Sequence, residues 1–440
     1  MNTTAIFAPY IITMNDDCPV LENHAVIIKG REILDILPNE QAKNIPTNQT
    51  LHLENHALMP GLINLHGHSA MSLLRGFADD LALMDWLNNH IWPAEGKNVS
   101  DAFVYDGSLL AMAEMVAGGT TTINDMYFFN AAVAKAGLLS GVRTFVGCTI
   151  LEFPNAYAQN ADEYIVKGLN ERTPFYGDDL VRFVLAPHAP YTVSDATFSK
   201  VVDLAEKYDM LIHCHIHETN DEISGSLKEY GVRPIERLNQ LGVINSRLIA
   251  AHCVHLTDEE IALFAEKGAS VAHNPASNMK LASGFAPVVK MLQNGVNVGL
   301  GTDGAASNNK LDMFAEMRLA ALIAKGFSGS PTDLTAYETL KMATVNGAKA
   351  LHMDDKIGSL KKGMRADMIA VDLSEIATQP VFNPISHIVY AADRSQVDFV
   401  WVNGEMLLKN KQFTRIDLAA IKAKAKFWRE KIANQSFQAA

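Results

Sequence analysis

Side chains able to hold a metal ion or carry a proton recur at the ends of short apolar runs. His66 and His68 end LINLHGH, His188 ends VRFVLAPH, and His213, His215, His217 and Glu218 crowd into MLIHCHIHE. His252 ends RLIAAH, His273 ends SVAH, and Asp303 ends NVGLGTD. In His66-Gly67-His68 an extended backbone puts both imidazoles on one side, and the glycine leaves room for close approach. The triplet is a two-point claw for a divalent cation. An isolated pair of this kind is more often just solvated, but here further imidazoles and a carboxylate end other apolar runs far along the chain. Imidazole and carboxylate donors serve zinc, iron and manganese.

These residues need a scaffold that gathers distant chain segments. Eight short apolar runs alternate with helical patterns: LINLH, TTTIND, RTFVG, VRFVLAPH, MLIHCHIH, RLIAAHC, SVAHN and NVGLGTD. Such alternation predicts parallel strands with crossover helices, and eight units predict an α/β fold of the (β/α)8 TIM-barrel type. All C-terminal strand ends then meet at one face, where such barrels build their sites. Thr257-Asp258-Glu259-Glu260 reads as a capping box, with Gly268 near the stop of the same helix. Thr219-Asn220-Asp221-Glu222 reads as another, so a helix starts directly after Glu218 and strand alternation no longer fixes where its carboxylate points. His213, one pleat deeper than His215, reads as a core residue. His217 sits at the rim as a supporting or structural residue, and His255 reads as structural. His273, in the turn-rich HNPASNMKL, reads equally as support for the site or as a tie within its loop.

Both chain ends carry β-rich runs, AIFAPYIITM, HAVIIKG and REILDIL at the start and ADMIAVDL and VDFVWVNGEMLL near the finish. Residues 1–58 and 366–440 are therefore expected to build one composite β-sandwich domain that includes a C-terminal helix, with the barrel at 59–365. A formal net charge of −12 argues against nucleic acid and anionic membranes as partners and leaves small molecules. No apolar run is long enough to cross a bilayer, and MNTTAIFAPYIITMNDDCPV lacks a basic flank ahead of a long apolar core, so no secretory signal is expected. Cys18, Cys148, Cys214 and Cys253 lie far apart within apolar runs, which predicts reduced, buried thiols and a cytoplasmic protein.

MPGLINLHGH, HCHIHET, AHCV, HNPASNMKLASG and GLGTDGAASNN together resemble the amidohydrolase superfamily of metal-dependent hydrolases. RGFADDLALMDWLNNHIWPAE, after the first strand, resembles its 5′-methylthioadenosine/S-adenosylhomocysteine deaminase branch. The resemblance implies one zinc ion per subunit, held by His66, His68, His215 and Asp303. Relatives with two metals bridge them with a carboxylated lysine on the fourth strand, and VRFVLAPHAP contains no lysine. It further implies Glu218 as the catalytic acid, His188 as a substrate contact and Glu95 on the ribose hydroxyls of a nucleoside.

Deamination of an aminopurine needs a strong nucleophile at neutral pH and a proton for the ring nitrogen beside the attacked carbon. Zinc supplies the first by lowering the pKa of a water toward about 7. Glu218 would shuttle the proton, Asp303 would accept one from the water, and His252 would orient the attack. The expected reaction converts 5′-methylthioadenosine, S-adenosylhomocysteine or adenosine to the inosine analogue plus ammonia. Residues 148–163, CTILEFPNAYAQNADE, contain no arginine to meet a carboxylate tail, which predicts that methylthioadenosine or adenosine is handled at least as well as S-adenosylhomocysteine. The alternatives are deamination of guanine, cytosine, a pterin or an s-triazine, and a barrel that serves only as a scaffold. Family habit also implies a homo-oligomer.

Overall fold

The computed structural model describes residues 2–437. Eight strands form one parallel sheet in chain order: Leu62–Gly67, Thr120–Tyr127, Arg143–Ile150, Val181–Pro187, Ile212–Ile216, Leu248–His252, Ser270–His273 and Asn297–Leu300. Each of the eight runs expected from the sequence is one of these strands. Their residues are buried almost without exception, so a strand covered on both faces reads as an unbroken apolar run. Beyond the eighth strand the Asp303 N–H donates to the His66 carbonyl at 2.9 Å and stitches the sheet back to its first strand. Gly301 is required at this seam, because a Cβ there would lie 2.8 Å from the His66 nitrogen.

Crossover helices start and stop where side chains satisfy the free backbone groups. Thr257 and Glu260 form the complete capping box of helix Asp258–Lys267, which ends at Gly268 with φ 70°. Ser194 caps helix Asp195–Tyr208 by accepting from the Thr197 amide.

The chain ends build a mixed sheet of nine strands, hydrogen-bonded without interruption from Gln412–Phe413 to Glu32–Pro38. His56–Pro60 pairs antiparallel with Met368–Asp372 and so joins the N-terminal strands to the C-terminal ones. Ile6, Val26, Ile28, Leu58, Met368 and Trp401 share one core, so residues from both ends of the chain bury each other. Full burial of each such side chain contributes about 1.5–3 kcal/mol.

The described residues divide into two compact units. One takes the chain up to Asn64, then Glu114–Thr122 and Asp312–Ile416; the other takes Leu65–Ala113, Ile123–Leu311 and the chain from Asp417 onward. The last helix, Leu418–Phe437, thus belongs with the second unit, whereas the sequence bounds attach it to the β-domain. Its Trp428 indole donates to Asp106 at 2.9 Å and packs edge-on against Phe103. Three of the four cysteines are free and buried as expected, but Cys18 is exposed. It lies in the turn between strands Thr3–Ile12 and Val20–Lys29, where an apolar neighbourhood in sequence does not mean an interior in space. No helix among the described residues is long and apolar enough to cross a membrane.

Candidate active site

The first, fifth and eighth strands bring His66, His68, His215 and Asp303 together at the mouth of the barrel. Asp303 Oδ1 lies 3.3 Å from His66 Nε2 and 3.2 Å from His68 Nε2. His68 Nε2 in turn lies 3.3 Å from His215 Nε2. The far side of each ring is held. His68 Nδ1 donates to the Met126 carbonyl and His215 Nδ1 to the His188 carbonyl, both at 2.7 Å. A carbonyl only accepts, so each Nδ1 carries a proton and each Nε2 is left to face the cluster. His66 Nδ1 shares a hydrogen bond of 2.9 Å with His213 Nε2, which gives the core histidine of the fifth strand a supporting role behind the cluster.

Asp303 is fixed as firmly. Its Oδ2 accepts from Ser277 Oγ at 2.6 Å and from Ser307 Oγ at 3.0 Å, and Oδ1 accepts from the Gly304 amide at 2.7 Å. Its φ of 62° is left-handed, a conformation that a non-glycine residue holds only when its surroundings enforce it. His252 has a φ of 73°. Its Nε2 lies 3.8 Å from Glu218 Oε2 and 3.9 Å from Asp303 Oδ2, while Nδ1 is bonded to Asn278 Oδ1 at 2.8 Å.

Glu218 follows the fifth strand directly and is buried, and the left-handed His217, φ 53°, turns the chain there. Helix Asn220–Tyr230 begins where the sequence predicts, with Thr219 accepting from the Glu222 amide. The Glu222 side chain departs from the expected box. Its carboxylate passes over the Thr219 amide and takes the His217 and Glu218 amides at 2.9 and 3.0 Å.

A cavity of about 360 Å³ opens over this cluster, lined by His68, His215, Glu218, His252 and Asp303 together with Glu95 and His188. Its size suits a drug-sized ligand. Its walls are largely apolar, with Met71, Trp86, Ile91, Trp92, Leu151 and Phe153 among them, and no described lining residue is Lys or Arg. Glu95, in helix Trp92–Asn98, receives a hydrogen bond of 2.5 Å from Tyr127 Oη at the end of the second strand. His188 Nδ1 shares one of 3.1 Å with Thr192 Oγ1. His273 is buried off the cavity; the short helix Pro275–Lys280 that follows it contributes Ser277 and Asn278 instead.

Electrostatics follow this packing. Burial holds the His66 imidazole down at about 4, against the pull of Asp303. Burial also lowers His68, yet the Asp303 carboxylate outweighs it and holds that ring at about 9. Asp303 shows the reciprocal effect: burial pushes it up, and the two imidazoles bring it well below the carboxylate range. Burial raises Glu218, brings Glu95 up to about 6 against the Tyr127 hydrogen bond, and keeps His188 neutral with a pKa of about 3.

The donor set fits a divalent cation. One donor atom from each of His66, His68 and Asp303 lies within 4.8 Å of the others, and the same holds for His66, His215 and His252. The buried His66 Nε2 has no aligned hydrogen-bond partner even with Asp303 Oδ1 nearby, as fits a nitrogen that would face an ion. The residues that hold these candidate ligands were not legible in the sequence. Met126 and His188 act through carbonyls, Ser277 and Asn278 stand in the short helix Pro275–Lys280, Ser307 in a loop and Tyr127 at a strand end, where those residue types are ordinary.

A parallel barrel with imidazoles and an aspartate converging at its C-terminal mouth defines a metal-dependent hydrolase. The sequence model of the Amidohydrolase family matches residues 57–407, and the chain belongs to that family. A 5-methylthioadenosine/S-adenosylhomocysteine deaminase of Teredinibacter turnerae is 44% identical over 439 residues, covering 98% of this chain and 99% of its own. A protein of the same description from Saccharophagus degradans is 41% identical over 431 residues, 98% and 97% of the two chains. The crystal structure of an adenosine deaminase from Xanthomonas campestris with bound zinc superposes with a TM-score of 0.97 at 45% identity, over 98% of each chain.

Proposed function

We infer that this protein is a zinc-dependent aminohydrolase that removes the 6-amino group of adenosine-type nucleosides, releasing ammonia and leaving the inosine analogue. One observation carries the reading: the Nε2 atoms of His66, His68 and His215 converge with Asp303 Oδ1 beneath a largely apolar cavity that also holds Glu218, His252 and Glu95. Zinc bound by these four side chains would make a water nucleophilic by lowering its pKa toward about 7.

The remaining work falls to the chain's own groups. Asp303 Oδ2, steadied by Ser277 and Ser307, accepts a proton from the attacking water. Glu218, which burial keeps more readily protonated than an ordinary glutamate, delivers a proton to N1 of the purine and then carries one to the departing amine. His252 presents Nε2 toward both carboxylates and orients the attack at C6. Glu95 accepts from the ribose hydroxyls, the neutral His188 hydrogen-bonds the substrate, and Trp86 and Trp92 stand beside the rings and the 5′ group. The largely apolar third-strand wall suits the short alkylthio group of 5′-methylthioadenosine, or adenosine itself, at least as well as the charged tail of S-adenosylhomocysteine. A homo-oligomer in the cytoplasm completes the reading, supported by three buried free thiols and by the habit of the family.

The test is ammonia release from methylthioadenosine, S-adenosylhomocysteine, adenosine, guanine and cytosine under identical conditions. Turnover of the three nucleosides and little of the free bases is expected. Faster turnover of guanine or cytosine would overturn the nucleoside assignment.

A further inference from the structure

We propose that Glu222 is a positioning residue that aims Glu218, through a two-pronged hydrogen bond to the backbone amides of His217 and Glu218. The inference rests on Glu218 being the proton carrier of the proposed reaction.

The fifth strand ends at Ile216, and an extended continuation would leave the direction of Glu218 to strand alternation. His217 breaks that continuation with φ 53°, a conformation unfavourable to a side chain with a Cβ, so something must hold it. Two sets of bonds do. On one side the loop after the sixth strand donates to the carbonyls: Cys253 N–H to Ile216 and Val254 N–H to His217, both at 3.0 Å. On the other side Glu222 takes the amides, Oε1 from His217 at 2.9 Å and Oε2 from Glu218 at 3.0 Å. Those bonds hold the peptide planes on both sides of the His217 Cα, and so the direction from which the chain enters Glu218.

Glu222 is buried and does not line the reaction cavity. It stands in the wall of a neighbouring cavity of about 240 Å³, whose lining also includes Glu218. Its carboxylate oxygens are bonded to the His217 and Glu218 amides and to none of the candidate metal donors. Its bonds bear only on where the chain turns.

Glu222→Gln keeps the shape but has one acceptor where Glu222 has two, so a backbone amide faces an N–H₂ group. The expected result is a loss in kcat of about 10- to 100-fold, the cost of a small misplacement of a catalytic group. KM should stay within about twofold and metal content should not change. Glu222→Asp, one methylene shorter, should not restore the rate. Hydrogen–deuterium exchange should speed up at the His217 and Glu218 amides, and a Glu218→Gln/Glu222→Gln double variant should be no slower than Glu218→Gln alone. An unchanged kcat in Glu222→Gln, with unchanged exchange at 217 and 218, overturns the proposal. If Glu218→Gln itself stays active, the reading of Glu218 fails and the proposal with it, whatever the exchange rates. If Glu218→Gln is inactive while Glu222→Gln keeps its kcat, the positioning proposal alone fails.

Discussion

Tyr127 Oη donates to Glu95 Oε1 at 2.5 Å, tying the end of the second barrel strand to the helix that overhangs the cavity. One Glu95 oxygen is thereby occupied and the carboxylate is held at the wall of the cavity, where the proposed reading has it meet a ribose. Glu95→Ala should raise KM for nucleosides by about 10- to 100-fold, and Tyr127→Phe, which frees the carboxylate to rotate, by a smaller factor. Steady-state kinetics on methylthioadenosine check both; an unchanged KM in Glu95→Ala would count against a nucleoside substrate.

The same carboxyl group sets a pH dependence. Burial brings Glu95 from an ordinary 4.5 up to about 6, opposed by Tyr127 and by the positive charge of His68. It is an anion above about pH 6 and protonated below, so nucleoside affinity should fall as pH drops through 6, by about tenfold per pH unit at the acid limit. Its effect on stability has the opposite sign. A raised folded-state pKa contributes stability that is full below 4.5 and lost as pH rises through about 6. KM against pH between 5 and 8 should therefore show an acid limb that Glu95→Gln removes.

Chelation should abolish activity and lower the unfolding temperature together. The His66 imidazole is fully buried with Nε2 unpartnered, so a bound ion satisfies a group that protein contacts leave bare. An ion present at a thousand times its Kd stabilises the fold by about 4 kcal/mol. Asp303→Asn should bring bound metal below about half an equivalent. Full activity after exhaustive dialysis against a chelator would rule out the metal mechanism.

Asn278→Ala removes the hydrogen bond on His252 Nδ1 and leaves the four expected metal donors untouched. A loss in kcat of about tenfold with normal metal content is expected. Metal loss in that variant would instead place His252 among the ligands, a role its proximity to His66 and His215 makes worth testing.

Selectivity for the 5′ group should yield to a single cation. Ala156 is exposed and lines the third-strand side of the cavity. Ala156→Arg should raise kcat/KM for S-adenosylhomocysteine relative to methylthioadenosine, by about 10-fold if the guanidinium meets the carboxylate. No change in the ratio would mean that the 5′ group extends elsewhere.

The barrel was legible because a strand buried on both faces needs an unbroken apolar run, and VRFVLAP or LIAAH leaves little else to read. The candidate ligands were legible because in a barrel each strand end is also a position at the mouth. What holds them was not. Met126 and His188 fix two imidazoles through backbone carbonyls, which every residue possesses. Glu222 was read as the partner of the nearest free amide, but its side chain reaches further back to the turn at His217. Cys18 was misread because neighbours in sequence stood in for neighbours in space.

The Asp303 N–H that bonds the His66 carbonyl belongs to the residue whose carboxylate faces the His66 ring. Closing the barrel and completing the donor set are thus one event. A chain whose eighth unit has not docked lacks both the closing hydrogen bond and the aspartate donor. An ion held by both His66 and Asp303 would act as a latch on the seam between the first strand and the last.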